Sequence, residues 1–177
     1  GGSITNSING TATIAGEFLP LGDTTVTWTA TDGSGNPATC TTTITVEDNT
    51  PPQMTCAPAA IRSTDPGLCE YTVQGTEFDA SAGDPCGINP ATFINDFTGT
   101  NTVGGAVLPQ GTTIIEWTAT DNNGNTSTCT TQVIVLDGEA PVISCVADGT
   151  RDTTLGVCGY LVIGTEFGAT FTDNCTG

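Results

Sequence analysis

The side chains in this 177-residue chain best suited to chemistry are eight Cys and 19 Asp or Glu, set against two Arg, no Lys and no His. Nucleophilic catalysis of the Ser–His or Cys–His kind needs an imidazole, and Schiff-base or Ser–Lys chemistry needs an amine. The inventory excludes both. Zinc fingers pair their cysteines two to four residues apart, and no such pair occurs here. Widely spaced, even-numbered cysteines in an acidic chain rich in Thr and Gly instead predict disulfides made in an oxidising compartment. Asp121-Asn122-Asn123-Gly124-Asn125 has the look of a calcium loop, but the twelfth position is Gln132 and the flanks read as strands rather than helices. It is better read as a hairpin turn that Asp121 caps.

The cysteines fall at 40, 56, 69 and 86, then at 129, 145, 158 and 175, each of the second four lying 89 residues after its counterpart. The same offset carries Trp28 to Trp117, Asp32 to Asp121, Asn36 to Asn125, Arg62 to Arg151 and Tyr71 to Tyr160. Gly75-Thr76-Glu77-Phe78 returns as Gly164-Thr165-Glu166-Phe167. Self-similarity at one fixed period, with no gap, marks a tandem repeat. The carboxylate pair Glu77 and Asp79, one strand face at i and i+2, becomes Glu166 and Gly168, so general acid–base work has no partner in the second copy. The chain reads as a non-enzyme.

Elements able to position these residues are short strands. Residues 112–120 and 127–136 alternate in hydropathy around the Asp121–Asn125 turn, where Gly and Asn supply positive φ. Residues 52–57 and 69–78 are two further strands, 91–97 and 102–107 weaker ones, and Leu108–Gly111 a turn. Six or seven strands in about 90 residues, with turns every 8–12, predict an antiparallel β sandwich. Pro-containing linkers at 47–52 and 136–141 separate the copies. The expected organisation is the C-terminal half of one repeat at 1–48, a complete repeat at 49–137, and the N-terminal half of another at 138–177. The fold class is all-β, as tandem immunoglobulin-like antiparallel sandwiches of 89 residues each.

The motif Gly-x-Thr-x-x-x-Trp-Thr-Ala-Thr-Asp-x-x-Gly-Asn-x-x-x-Cys runs from Gly111 to Cys129, followed by Asp137, Pro141 and Cys145; a second copy spans Gly22 to Cys56. This pattern resembles the hyalin repeat (HYR) family. The resemblance implies immunoglobulin-like modules of extracellular proteins linked to cell adhesion. The Cys-rich, Lys-free version is most similar to arrays in very large surface proteins of gliding bacteria, including mobile adhesins.

An immunoglobulin-like sandwich sets the first and last strands of a repeat side by side and parallel, which brings Cys56 to Cys129. Cys69 is then left to Cys86, and by the repeat Cys158 to Cys175. A straight second strand of about nine residues would separate Cys69 and Cys86 by ~30 Å, against the ~6 Å a bridge spans. Unless the chain bends near Gly75 or folds back through 79–85, Cys69 reaches Cys175 in the next repeat instead. Cys40 and Cys145 have their partners outside the chain. In the same fold, the linker of one domain meets two loops of the next, gathering Asp48, Asp84 and Asp121 at one junction and Asp137, Glu139 and Asp173 at the other. Clustered carboxylates without basic neighbours either stay solvated or take a cation such as Ca2+. Trp28 and Trp117 sit mid-strand in alternating runs and read as core anchors rather than sugar platforms. Arg62 and Arg151 are expected to pair locally with acids such as Asp65 and Asp152.

A net charge of −17 argues against nucleic acid and anionic lipid as partners. No stretch is apolar enough to span a membrane, and export signals are expected outside this stretch. The reading that results is a stalk segment of a giant secreted cell-surface adhesin, whose partners are neighbouring repeats of its own chain and a surface glycan or protein. The rival is a specific glycan- or protein-binding extracellular module, and a third class is the accessory domain of a secreted hydrolase.

Overall fold

The computed structural model describes residues 1–175 as strands, turns and one short 3-10 turn at Pro90–Thr92. The strands are β1 (Ser3–Asn6), β2 (Gly22–Thr31), β3 (Pro37–Val46), β4 (Gln53–Thr55), β5 (Ala60–Ser63), β6 (Glu70–Thr72) and β7 (Ser81–Gly83), followed by β8 (Ile94–Asn95), β9 (Val107–Pro109), β10 (Gly111–Thr120), β11 (Thr126–Leu136), β12 (Val142–Ser144) and β13 (Thr170–Thr172). The fold is all-β, as the alternating runs predict.

In the central repeat one layer is the sheet β5-β11-β10-β8, and the other is made of the pairs β4-β7 and β6-β9. The long hairpin β10-β11 is antiparallel, with Trp117 opposite Cys129. Period-2 alternation puts Ile115, Trp117 and Ala119 of β10 and Thr131, Val133 and Val135 of β11 on the buried face. Val73, Phe78, Val103 and Leu108 meet them from the opposite layer. Trp117 is fully buried, with its ring 5.7 Å from that of Phe93, and is the core anchor of the repeat.

The N-terminal part of the repeat departs from the sequence reading. The first strand is two pieces: β4 pairs with β7 in one layer, and β5 crosses to run parallel to β11 in the other. Ala57-Pro58-Ala59 lies at the crossing, where proline cannot donate to a ladder. The expected 69–78 strand stops at Thr72, because Gly75 takes a φ of 55° and turns the chain. Residues 96–106 form a loop wound around Asn95 rather than a strand. Its amide donates to the carbonyls of Thr100 and Thr102 at 2.7 and 3.3 Å, and its carbonyl oxygen accepts from the Thr98 amide at 2.7 Å.

The flanking segments repeat this architecture at the 89-residue offset. Strand β2 corresponds to β10 and β3 to β11, and the pair β12-β13 corresponds to β4-β7. Asn6 pairs with Trp28 on β2 as Asn95 pairs with Trp117 on β10. Asp32 caps its hairpin through the amides of Ser34 and Asn36, and Asp121 does so through those of Asn123 and Asn125.

Candidate functional site at the repeat junctions

The predicted site residues converge on the two ends of the central sandwich. At the end facing residues 1–48, three loops meet: the linker at Asp48, the loop after β7, and the β10-β11 hairpin. Asn125 donates its side-chain amide to the Asp48 carbonyl at 3.0 Å, and Asn122 donates to the Cys86 carbonyl at 3.2 Å. Asp84 turns back on its own loop, its Oδ1 accepting from the Cys86 amide at 2.7 Å. The Asp48 Oδ1 accepts from the Thr50 amide at 3.0 Å in the same manner.

Among the described residues, one group of metal-ligating side chains closes to within 4.8 Å: Asp48, Asp84 and Cys86. The Oδ2 atoms of both carboxylates are buried and have no hydrogen-bond partner. Burial, then the Asp48 carboxylate as hydrogen-bond partner, then the negative charges of Asp48, Asp84 and Asp121 push the Cys86 thiol above its ordinary value, which keeps it protonated and a poor nucleophile. Asp121 is close by, but its oxygens are committed to the hairpin. Burial raises its pKa, the Asn125 side chain and the Asn125, Asn123 and Gly124 amides outweigh that, and the net shift is downward. Two hard carboxylates and a soft sulfur make a mixed donor set, so a hard cation such as Ca2+ would be held by Asp48 and Asp84 with water completing its shell.

The other end of the sandwich is the tip between β5 and β6, and it is where the chain grips the following segment. Thr64 continues from β5 by donating its amide to the Leu136 carbonyl at 2.9 Å. The tip turns at Pro66-Gly67, with Gly67 at a φ of 76°. That turn points the Gly67 amide at Glu139 of the linker, 2.7 Å from its carboxylate. On the other side, Asn174 donates to the Leu68 carbonyl at 2.6 Å. Between these contacts Cys69 is bridged to Cys175, with Cα atoms 5.0 Å apart. Asp173 holds Cys175 in place by accepting from its amide at 2.8 Å, the same Asp-x-Cys turn that Asp84 makes for Cys86. Asp137 caps the linker through the Glu139 amide at 3.0 Å. Asp137, Glu139 and Asp173 therefore serve hydrogen bonds at this junction, and they do not close into a ligand group.

Cys56 is bridged to Cys129, with Cα atoms 5.9 Å apart, across the point where the chain passes from β4 to β5. The pairings Cys69–Cys86 and Cys158–Cys175 are not formed; Cys86 and Cys158 are unbridged, as are Cys40 and Cys145. The reason is polarity within the sandwich. Cys69 opens β6 at the end that meets the next segment, while Cys86 follows β7 at the end that meets the previous one.

The two arginines also differ from expectation. Arg62 donates through Nε to Glu77 at 3.1 Å and lies over the Phe78 ring at 5.0 Å. Tyr71 donates to the other Glu77 oxygen. Asp65 instead accepts from the Thr72 amide at 2.8 Å. Arg151, Tyr160, Glu166 and Phe167 repeat the cluster, with Tyr160 donating to Glu166 at 2.7 Å and Arg151 over the Phe167 ring at 5.1 Å. The Gly75 turn brings Glu77 back under β6, which a straight-strand reading of 69–78 conceals. The recurrence of Arg, Tyr, Glu and Phe at one offset was the signal available in the sequence.

The HYR domain family matches residues 2–46 and 47–135, nearly the whole of the two segments just described. The chain belongs to the HYR domain family. Among curated relatives, hyalin of Strongylocentrotus purpuratus is 36% identical over 163 residues, covering 89% of this chain and 13% of that protein. Hyalin of Lytechinus variegatus is 33% identical over 159 residues, covering 85% of this chain and 28% of that protein. The sushi, von Willebrand factor type A, EGF and pentraxin domain-containing protein 1 of Mus musculus is 35% identical over 118 residues, covering 67% of this chain and 3% of that protein. This HYR chain thus corresponds to a small part of each of them. Among solved structures, the extracellular cadherin domains 1–4 of protocadherin gamma B7 align at a TM-score of 0.36 and 17% identity over 74% of this chain and 36% of that one, too slight a likeness to build on. No helix among the described residues is long and apolar enough to cross a membrane.

Proposed function

We propose that this HYR chain is a length of extracellular stalk in a large secreted cell-surface adhesin, in which each repeat is a spacer and the array sets reach. The observation that carries the reading is the junction: Gly67 to Glu139, Asn174 to Leu68, and the Cys69–Cys175 bridge fix the following segment to the central sandwich by three different kinds of contact. A hinge between independent binding modules has no need of such fixing, whereas a strut does. Quasi-one-dimensional arrays suit this task because each unit contacts only its neighbours and length follows copy number. Hyalins among the relatives support the extracellular, adhesive setting. Membership of gliding-type bacterial adhesins is the finer step of the proposal, and it rests on the Cys-rich, Lys-free character of the repeat; the curated relatives named above are animal proteins.

Small-angle scattering from chains with increasing numbers of in-frame repeats tests the strut. The expected maximum dimension grows in proportion to repeat number. Growth as roughly the square root of repeat number, the behaviour of a flexibly linked chain, would overturn it. Retention of a surface glycan or protein ligand by the isolated 177-residue chain would favour the rival binding module.

The cation expectation is carried forward at Asp48 and Asp84, each of which has a buried, unpartnered oxygen and which group with Cys86 within 4.8 Å. A cation held only by the folded state raises the melting temperature. A higher melting temperature in millimolar calcium than in chelator, lost in Asp84→Asn, is the expected result; identical melts would dismiss the site.

A further inference from the structure

We infer that the Cys69–Cys175 bridge is one rung of a staple that recurs at every junction between repeats in this register, making a continuous covalent strut that bypasses most of each domain. Cys175 stands 89 residues after Cys86, and Cys158 stands 89 after Cys69. The bridge therefore joins the Cys69-type cysteine of one repeat to the Cys86-type cysteine of the next. Cys86 is presented by the same Asp-x-Cys turn as Cys175, at the end of its sandwich that faces the preceding segment. Cys158 is the counterpart of Cys69. Each is half of a rung whose other half belongs to an adjoining repeat, and this accounts for their being unbridged here. Cys40 and Cys145 are halves of the internal Cys56–Cys129 type of bridge in the same way.

The mechanical consequence comes from counting backbone. With rungs at both ends of a repeat, tension enters at Cys86 and leaves at Cys69, so the shortest covalent route holds only 17 residues of each repeat (86 − 69). That route includes β6 and β7. The β10-β11 hairpin, with Trp117, lies off it, while Val73 and Phe78 of the core lie on it. At ~3.5 Å per extended residue, a stapled repeat pays out at most about 60 Å. The Cys56–Cys129 bridge by itself leaves 16 residues of each repeat on the covalent route (89 − 73), so the rungs add a second route of like length beside it. A repeat with its rungs and its internal bridge all open pays out about 310 Å over its 89 residues, roughly fivefold more. Closing a rung removes two protons and two electrons from two thiols, and a dithiol–disulfide oxidase of the extracytoplasmic compartment, or oxidised glutathione in vitro, accepts them. The inference concerns connectivity and holds whether the array serves as a stalk or as a set of binding modules.

The absence of Lys gives a direct test, because trypsin can cut this chain only after Arg62 and Arg151. The 177-residue chain is refolded in a glutathione redox buffer, denatured, alkylated without reduction and digested. Expected is a single disulfide-linked product holding residues 1–62, 63–151 and 152–177, with the four cysteines at 40, 86, 145 and 158 alkylated. Release of 152–177 as a separate peptide with Cys158 and Cys175 unalkylated would overturn the staple. Cys175→Ser should release 152–177 and Cys86→Ser should not; any other pattern refutes the assignment. Recurrence is read from a chain lengthened by a second in-frame copy of residues 49–137. It should show the same number of alkylated cysteines as the original, and a gain of two would show that the new junction is not stapled. In single-molecule extension of that longer chain with Cys56→Ala and Cys129→Ala in both complete repeats, which leaves the rungs as the sole short route, the repeat held by two rungs should lengthen about fivefold on adding a reductant, and an unchanged step would refute the bypass.

Discussion

Replacing both members of the internal bridge, Cys56→Ala with Cys129→Ala, tests how the repeat resists unfolding. The bridge spans a sequence separation of 73 residues. On the chain-entropy model, releasing a loop of that size returns about 4 kcal/mol of freedom to the unfolded state. Cys56 and Cys129 also pack against the core cluster, and trimming them costs up to about 1 kcal/mol each in lost apolar burial. The sum is a large share of the ~5–15 kcal/mol that holds a domain of this size together. At ~4–8 °C per kcal/mol it corresponds to a drop of about 15–50 °C in melting temperature. The assay is urea unfolding followed by Trp117 fluorescence in a Trp28→Phe background, since Trp28 is only half-buried in the flanking segment. The expected outcome is a much lower midpoint, with an equal or larger denaturant slope because the unbridged chain exposes more surface on unfolding. A loss under about 1 kcal/mol at unchanged slope would refute the reasoning, since it would mean that the bridge constrains nothing in the unfolded chain.

Three further outcomes are expected. Asn95→Ala strips the loop 96–106 of its centre and leaves the Thr98 amide without its partner, while the Thr100 carbonyl keeps the Asn95 backbone amide; a loss of about 1–3 kcal/mol by urea unfolding is expected. Trp117→Phe should cost under ~2 kcal/mol, because the indole N–H is already buried without a partner and no hydrogen bond is lost, whereas Trp117→Ala should cost ~3–5 kcal/mol. Glu77 has a carboxyl that burial raises but that Tyr71, the Gln74 amide and Arg62 together hold below its ordinary value of 4.5. Its contribution is thus complete above that value and is lost as pH falls through the depressed one, so melting temperature should fall more steeply in acid for the parent chain than for Glu77→Gln; parallel curves would show that Glu77 contributes nothing.

Much of the central sandwich was legible in the residues themselves. The 89-residue offset, the alternation along β10 and β11, and the Asp121–Asn125 turn are local or periodic signals, and each depends on no more than the next few residues or on a second copy. The Trp117 anchor followed from its place in that alternation. The loop around Asn95 was not legible, because an Asn in a weakly apolar stretch shows no pattern until its amide is surrounded by three threonines. Nor was the division of the first strand, where β4 and β5 are drawn to different sheets by partners far along the chain. The arginine pairs were misplaced for the same reason: sequence proximity favoured Asp65, whereas the Gly75 turn delivers Glu77. Composition determined that thiols and carboxylates would be the chemistry of this chain and that their spacing would recur. The pairing of Cys56 with Cys129 also followed from the sandwich expected of the sequence. Only the tertiary structure decided the partner of Cys69, because a bridge reaches ~6 Å between Cα atoms and the fold puts Cys69 and Cys86 at opposite ends of one sandwich while bringing Cys69 within 5.0 Å of Cys175.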